Sequence, residues 1–244
     1  MNVVERFRFL HSAWRYRLRS ERKELAFVLR MKLEGAVVLD IGANRGIYSY
    51  WLHRRVGPRG HVYAFEPQPE LGRCLSELRK AFRLNNLTIV PCGLSSEAGV
   101  RELKRPRNHW GAASLEHDSF ENAETLPIHV TTLDAFAITA ALPRIRFIKC
   151  DIEGHEYECF RGGERLLLRD RPTILVECAD FHLERLRSYL AGFGYSGRFF
   201  HRTGTVGLER LPELRSQLHP GYLNFVFEMP ENSSVNSRPA HRAA

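Results

Sequence analysis

Short apolar segments alternate with helix-like segments through most of this chain, and this alternation restricts the fold more than any other feature of the sequence. The segments predicted as strands are Ala36–Ile41, His61–Phe65, Leu87–Cys92, Arg146–Cys150 and Thr173–Cys178. Most of them are followed by a helical pattern, and repeated βα units require a parallel sheet with helices on both faces. Near the end, segments 195–200 and 222–228 alternate apolar and polar residues, which predicts an antiparallel hairpin closing the sheet.

Three segments of different composition divide the 244 residues. Residues 1–33 place apolar side chains three and four positions apart between Arg and Lys, which predicts a basic amphipathic helical extension. Residues 34–230 carry the alternating pattern and are long enough for one sizeable domain. Within it, short strands at 99–103 and 128–132 are predicted to flank a polar loop that acts as a substrate lid. Residues 231–244 have no core-forming pattern and are predicted to be disordered.

The chain has a surplus of positive charge. It contains 36 Lys and Arg against 28 Asp and Glu, which gives a net charge of +8 and a pI near 9.5. Nine of the basic residues and only three acidic residues fall within residues 1–33. Three roles are open for this segment: docking on an anionic membrane surface, contact with an acidic substrate, or a solvated face over the core.

The cysteines and the hydropathy of the sequence indicate the cellular compartment in which the protein is expected. The five cysteines are odd in number and no two have C-x-x-C spacing, which indicates a reducing compartment. No apolar run reaches the roughly 20 residues that cross a bilayer, and charged residues interrupt any signal-peptide core near the start. The expected location is the cytoplasm, with peripheral attachment to the inner membrane surface as a second expectation. No residues have the spacing of metal ligands, so no metal is expected.

The strongest chemical signal lies in Val37–Gly46, where a buried strand runs into a glycine-containing turn and then a helix. Gly42 and Gly46 let the backbone turn sharply and approach a ligand at the carboxyl edge of the sheet. Glu66 ends the next strand, and an acid at that place can accept both hydroxyl protons of a ribose. This pattern predicts a cofactor that contains adenosine.

NAD and S-adenosylmethionine (SAM) are the two cofactors that fit this arrangement. A dinucleotide pyrophosphate normally requires G-x-G-x-x-G over a helix N-terminus, whereas Ala43 and Asn44 stand where the second glycine would be. SAM has no phosphate and carries a sulfonium cation, beside which Asp40 is favourable. SAM is therefore preferred over NAD, and a glycine turn that binds nothing is the remaining alternative.

A third group of polar residues follows the fourth predicted parallel strand, within residues 147–156. Asp151 and Glu153 should reach the same crevice as the two earlier acids, because ligands of parallel sheets bind at the carboxyl edge. Four converging acids need a cation, such as a sulfonium or Lys149, and their mutual repulsion should shift their pKa values. The alternative is that these acids only cap the helix predicted over 155–168.

Together these residues resemble the FkbM family of SAM-dependent methyltransferases, a branch of the class I methyltransferase fold. The segments that carry the resemblance, between Val37 and Glu177, are D-x-G-A-N-x-G at Asp40–Gly46, Phe65–Pro67, Thr132–Asp134, K-x-D-x-E-G-x-E at Lys149–Glu156, Arg161–Gly162 and Arg171–Pro172. Their order and spacing make the set specific, although each motif alone is weak.

The resemblance implies an α/β, Rossmann-like fold with a seven-stranded, mostly parallel sheet, helices on both faces and an antiparallel C-terminal strand. SAM would lie across the carboxyl ends of the first strands. The residues implied to bind it are Asp40, Gly42, Asn44, Gly46, Glu66 and Asp151. The implied activity is similar to that of O-methyltransferases acting on sugars and other hydroxylated small molecules. Residues 91–94 depart from the usual family pattern, and segment 104–127 matches nothing in it, which places acceptor identity there.

An alcohol acceptor loses a proton when it takes a methyl group, so a base within hydrogen-bond reach is expected. The candidates are Glu153, His155 and Asp151, with His109 and His129 as more distant ones. Glu153 or His155 is favoured as the base, and Asp151 as an electrostatic and orienting group.

Three other functions stay open. One is an NAD-dependent oxidoreductase, which would use the same glycine turn and acid. An RNA methyltransferase would use the positive charge, but the sequence has no appended RNA-binding motif, so the expected partner is a small molecule or a glycan and not nucleic acid. The non-enzymatic alternative is a scaffold that has lost catalysis, and the presence of Gly42, Glu66 and Asp151 argues against it.

Overall fold

An eight-stranded sheet with helices on both faces organises the protein, and a three-stranded sheet accompanies it. The computed structural model describes residues 1–107, 110–116, 122–202, 204–218 and 222–230. The strands are β1 (Val37–Ile41), β2 (His61–Phe65), β3 (Leu87–Val90), β4 (Gly93–Leu94), β5 (Gly99–Pro106), β6 (Ala123–Thr131), β7 (Ile145–Cys150), β8 (Thr173–Ala179), β9 (Ser196–His201), β10 (Gly204–Gly207) and β11 (Tyr222–Glu228). The helices are α1 (Val3–Arg15), α2 (Arg22–Arg30), α3 (Ile47–Val56), α4 (Pro69–Phe82), α5 (Leu133–Thr139), α6 (Glu156–Arg161), α7 (Glu164–Asp170), α8 (Asp180–Ala191) and α9 (Leu211–Leu214). A π-helical turn at Tyr16–Ser20 joins α1 to α2.

The large sheet has the strand order β10-β9-β11-β8-β7-β1-β2-β3. The five strands from β8 to β3 are parallel to one another. Strand β11 runs antiparallel to both β8 and β9, which confirms the predicted antiparallel pairing of the two C-terminal segments, although β9 forms its hairpin with β10. The predicted α/β class with a mostly parallel sheet is confirmed, but the count of seven strands is wrong by one. The additional strand is β10, whose four residues include two glycines and show no apolar pattern that could be recognised in the sequence.

Alternate residues of the parallel strands feed two hydrophobic cores, one on each face of the large sheet. Leu39 of β1 belongs to the core under α5, α6, α7 and α8. Val38 belongs to the core under α1, α2, α3 and α4. The same alternation places Asp40, Lys149 and Glu177 on the second face, near the carboxyl ends of β1, β7 and β8. On this face, polar side chains therefore follow the apolar core residues toward the carboxyl ends of the strands.

Residues 1–33 pack on the face of the sheet covered by α3 and α4. Ala13 of α1 and Leu25 of α2 are fully buried in that core. The Trp51 indole N–H donates to the Ala13 carbonyl at 3.3 Å. The basic segment is therefore in contact with the sheet and its helices. None of the helices within the described ranges combines the length and apolar character needed to cross a membrane.

The single helix predicted over 155–168 is wrong, because two helices, α6 and α7, occupy this region. The break falls at Gly162 and Gly163, which face other parts of the chain at close range. A Cβ atom on Gly162 would lie 2.2 Å from the Ser95 carbonyl oxygen, and one on Gly163 would lie 2.8 Å from Leu133. Contacts with distant segments of the chain thus end α6. The residues of α6 and α7 themselves give no indication of these contacts.

Candidate functional site

A cleft opens at the carboxyl ends of β1, β2 and β7, where the predicted functional segments meet. Its lining residues come from the turn after β1, the tip of β2, the segment after β3, the small sheet and the loop after β7. They are Ile41, Gly42, Asn44, Phe65, Glu66, Pro67, Gln68, Cys92, Gly93, Leu94, Leu103, Gly111, Ala113, Leu115, Ile128, Asp151, Ile152, Glu153 and His155. The predicted residues Gly42, Asn44, Glu66, Asp151, Glu153 and His155 are all among them.

The turn after β1 needs glycine at Gly42 for two reasons. Its φ angle is +76°, in the left-handed region, and a Cβ atom there would lie 1.8 Å from the backbone oxygen of Asp151. Asn44 also has a positive φ, of 50°, which asparagine tolerates better than most residues. The turn therefore brings the end of β1 against the start of the loop after β7, and both sides line the cleft.

Glu66 is buried at the tip of β2, and two backbone groups orient its carboxylate. The Asn44 N–H donates to Oε2 at 2.9 Å, and the Gln68 N–H donates to Oε1 at 3.0 Å. Burial raises the pKa of Glu66 to about 7, against the effect of these two hydrogen bonds. Each carboxylate oxygen retains a lone pair for a ligand hydroxyl.

Asp40 and Gly46 lie behind the cleft and are not part of its lining. Asp40 is buried, accepts a hydrogen bond from the Ser49 hydroxyl at 2.5 Å, and has a pKa that burial raises to about 6. Gly46 begins α3 with a φ of +82°, and a Cβ atom there would lie within 2.7 Å of Leu75 and Leu78 on α4. Both residues support the turn from behind.

The loop after β7 holds Glu153 in a strained backbone conformation. Glu153 has a φ of +53°, which is uncommon for a residue other than glycine. Residues with such strained backbone angles occur most often at functional sites. The buried carboxylate of Glu156 supports the loop by accepting the N–H groups of Ile152 and Gly154 at 3.2 and 3.1 Å. Burial and, next, Asp151 raise the pKa of Glu153 to about 7, and its carboxylate makes no hydrogen bond with the described residues.

Lys149 supplies positive charge beside these acids. Its Nζ lies 3.2 Å from Asp151 Oδ2 and 5.0 Å from the centre of the Tyr48 ring. Burial alone would lower the pKa of Lys149, but the nearby carboxylates, first that of Asp151 and then that of Glu21, hold it above its ordinary value. Glu21, between the π-helical turn and α2, also accepts a hydrogen bond from the Tyr48 hydroxyl. Neither Tyr48 nor Glu21 was predicted, because neither belongs to a recognisable motif.

His155 is held at both ring nitrogens. Nδ1 lies 2.6 Å from Glu116 Oε1, and Nε2 lies 3.0 Å from Ser95 Oγ. These contacts connect the loop after β7 to segment 110–116, part of the predicted lid. Of the more distant histidines, His129 lies exposed on β6 outside the cleft lining, and His109 lies outside the described residues.

Arg105 joins the small sheet to the segment that carries Glu66. Its guanidinium is buried and donates to Glu124 at 2.7 Å, to the Gln68 side chain at 3.0 Å, and to both Glu70 oxygens at 3.0 and 3.3 Å. Because the Gln68 N–H also holds Glu66, Arg105 fixes the β5–β6 hairpin against the cleft. No pattern in the sequence indicates this link, which spans more than thirty positions.

Replacing Arg105 by methionine is expected to lower the free energy of unfolding by about 3 kcal/mol, because it removes the hydrogen bonds that the buried guanidinium donates to Gln68, Glu70 and Glu124. Urea denaturation measures the change. Arg107→Met is the matched control, since Arg107 is exposed and lies 3.8 Å from Glu124, a distance at which an ion pair contributes about 0.5 kcal/mol or less. Equal losses in both variants would contradict the assigned role of Arg105.

The buried carboxyls predict that stability falls as pH rises. Burial raises the pKa of both Glu66 and Glu156 to about 7 from an ordinary value of 4.5. Between these values the unfolded chain binds fewer protons than the folded protein, so the free energy of unfolding decreases with pH. We expect a loss on the order of 3 kcal/mol from about pH 5 to about pH 8, measured by urea denaturation of the ligand-free protein.

Glu156→Gln should reduce this loss, because it removes one of the carboxyl groups whose pKa is raised. Stability that is constant or rises over the same pH range would contradict the raised pKa values.

Among the described residues, no three His, Cys, Asp or Glu side chains form a group that could hold a metal ion. All five cysteines are free, and Cys150, Cys159 and Cys178 are buried.

Known proteins resemble this chain in sequence and in fold. The chain is 29% identical over 152 residues to the hexuronic acid methyltransferase AglP of Haloferax volcanii, covering 61% of this chain and 59% of that protein. The crystal structure of methyltransferase FkbM from Methylobacillus flagellatus superposes with a TM-score of 0.55 at 17% identity, over 81% of this chain and 45% of that one. The chain thus spans between two fifths and three fifths of the length of these relatives.

A third comparison concerns the fold alone. Fibrillarin from Aeropyrum pernix, solved in complex with S-adenosyl-L-methionine, superposes with a TM-score of 0.50 at 14% identity, over 84% of this chain and 74% of that one. The fold is therefore that of the class I methyltransferases. The sequence model of the methyltransferase FkbM domain matches residues 40–196, which include every predicted cofactor and acid–base residue. This protein belongs to the FkbM methyltransferase domain family.

Proposed function

We propose that this protein is a SAM-dependent methyltransferase that acts on a hydroxyl group of a sugar, a glycan or another hydroxylated small molecule. The observation that carries the proposal is the buried Glu66 carboxylate, which two backbone N–H groups orient at the cleft that also holds Asp151 and Glu153. An acid in this place suits the two hydroxyls of a ribose. Membership of the FkbM family supports the same reaction class.

The residues of the turn fit SAM better than NAD. Gly42 leaves the space that a side chain would fill, so a ligand can approach the backbone, and Asn44 follows within the same lining. The acids around the cleft suit a cofactor that carries a sulfonium and would repel a pyrophosphate. When bound, SAM supplies an activated methyl group. Glu66 would hold its ribose, and Gly42, Asn44 and Asp151 would adjoin its methionine portion, with Asp40 and Gly46 supporting the turn.

Glu153 is proposed as the general base for the acceptor hydroxyl. Its carboxylate faces the cleft, and a pKa of about 7 lets it exist as a base near neutral pH while still accepting a proton readily. Asp151 is proposed to orient the acceptor, with Lys149 holding it in place through the ion pair. His155 is the second candidate for the base, although both its ring nitrogens already have partners.

The acceptor class is proposed from two sources. AglP is named for methylation of a hexuronic acid, which is a hydroxylated sugar. The apolar lining of the cleft includes Leu103 of β5, Ile128 of β6 and Leu115 between them, whose side chains suit the faces of a sugar ring or a similar small molecule. Asp151 and Glu153 suit its hydroxyl groups.

The test has two steps. Calorimetric titration with SAM and with NAD identifies the cofactor, and binding of SAM alone is expected. Labelled SAM is then incubated with the protein and with extracts of glycans, lipid-linked sugars or polyketides, and mass spectrometry detects products heavier by one CH2 group. Absence of SAM binding would overturn the proposal, and SAM binding with transfer only to RNA would overturn its acceptor class.

A further inference from the structure

One side of α1 and of the following π-helical turn carries four exposed apolar side chains, and of these Trp14 also contacts Trp51. Val3 is 65% exposed, Phe7 69%, Trp14 46% and Leu18 59%. Their spacings of four, seven and four residues place them along one side of a helix. We call these four residues the apolar stripe.

The adjoining side of α1 already covers the core. Phe9, Leu10 and Ala13 pack against the sheet-facing side chains of α3 and α4, and Phe9 lies 5.6 Å from the Tyr50 ring. A helix that only covers a core presents polar residues to water on its outer side. Here the apolar stripe lies beside the core-facing residues of α1 and is exposed. A solvated face over the core, one of the three roles open from the sequence, therefore does not describe α1.

Arginines border the apolar stripe. Arg8, Arg15, Arg19 and Arg22 are exposed. Of these, Arg8, Arg19 and Arg22 make no ion pair or hydrogen bond with the described residues, so their charges are available to a partner. Apolar side chains flanked by unpaired arginines match the apolar boundary and anionic headgroups of a bilayer that contains acidic lipids.

We propose that the apolar stripe docks on the surface of an anionic lipid bilayer, with α1 lying in the plane of the interface. Phe7 and Leu18 enter the acyl boundary, and the arginines contact lipid phosphates. Trp14 is anchored by its edge-to-face contact with Trp51 at 5.4 Å, and Arg17 stacks on both rings at 4.9 and 4.8 Å. These contacts hold the stripe rigidly to the body of the protein.

Docking at this place would set the residues around Glu21 close to the bilayer. The stripe ends at Leu18, three positions before Glu21, whose carboxylate accepts the Tyr48 hydroxyl beside Lys149. The proposal stands on the stripe and its charges, and it does not depend on the proposed methyl transfer.

Cosedimentation of the full chain with vesicles tests this inference. The protein is expected to pellet with vesicles of phosphatidylcholine mixed with phosphatidylglycerol, to stay in the supernatant with phosphatidylcholine alone, and to be released by added salt. The combined variant Phe7→Ser with Leu18→Ser should bind the anionic vesicles at least about tenfold more weakly. Its melting temperature should stay unchanged, since both side chains point away from the core.

The matched control is Ile138→Ser with Leu168→Ser. These side chains are 67% and 56% exposed on α5 and α7, on the opposite face of the sheet. This control should bind vesicles like the native protein. The inference is overturned if the native protein stays in the supernatant with anionic vesicles, or if the stripe variant binds as well as the native protein. It is also overturned if sedimentation equilibrium shows a dimer that the stripe variant dissociates, because the stripe would then contact a second copy.

Discussion

Replacing Glu153 by glutamine is expected to lower the turnover number for methyl transfer by about a hundredfold or more, while SAM affinity changes by less than about threefold. The glutamine side chain has nearly the same shape and leaves the left-handed backbone at position 153 undisturbed, but it cannot accept the proton of the acceptor hydroxyl. Steady-state kinetics with the identified acceptor measures turnover, and calorimetry measures SAM affinity.

The pH profile separates a base from a residue that only shapes the cleft. In the native protein, turnover should rise with pH as Glu153 ionises, through a pKa of about 7. In Glu153→Gln this rise should disappear. Glu158→Gln is the matched control, because Glu158 lies nearby on α6 and pairs with Arg161 and Arg185 away from the cleft lining. Full turnover in Glu153→Gln would exclude it as the base and leave His155 and Asp151 as candidates.

Replacing Glu66 by alanine is expected to weaken SAM binding by about a hundredfold. The native carboxylate is proposed to accept two hydrogen bonds from the ribose, and hydrogen bonds to a charged group contribute about 1.5 to 3 kcal/mol each. Calorimetric titration with SAM measures the loss. Because Glu66 also accepts the Asn44 and Gln68 N–H groups, thermal unfolding must show that the variant is still folded.

Two further variants make the Glu66 result interpretable. Glu66→Gln keeps an acceptor for one of the two backbone groups, so it should fold more stably than the alanine variant and still bind SAM weakly. Glu77→Ala, on the exposed side of α4, removes a carboxylate of the same kind and should leave SAM affinity unchanged. Unchanged affinity in a folded Glu66→Ala protein would refute the ribose assignment.

Local patterns were sufficient to predict the elements that position the cleft. The boundaries of β2 match the prediction, β1 differs by one residue at its start, and α3 follows the glycine turn as predicted. An apolar run, a glycine turn and a helical pattern are each encoded by neighbouring residues, and tertiary contacts do not override them here. The acids predicted at strand ends, Glu66 and Asp151, line one cleft because parallel strands end at a common edge.

Elements that depend on distant contacts were predicted less well. The break between α6 and α7 follows from the close approach of Gly162 to Ser95, 67 positions earlier, and the local helical pattern continues through it. Asp40 carries the same strand-end signal as Asp151, yet it turns to Ser49 behind the cleft. Strand alternation determines on which face of the sheet a side chain lies. Its hydrogen-bond partner depends on which segment of the chain packs against that face.

The sequence by itself determined the parallel sheet, the glycine turn and the acids at the strand ends, because all three follow from residues that are close along the chain. Only the tertiary structure decided which contacts hold the segments around the cleft together and which helix faces remain exposed to solvent. The Arg105 contacts with Gln68 and Glu70, the Glu116 contact with His155 and the Glu21 contact with Tyr48 each join segments at least 27 positions apart. The apolar stripe of α1 likewise became distinguishable from a core-facing side only when the packed face was known, since one helical pattern contains both.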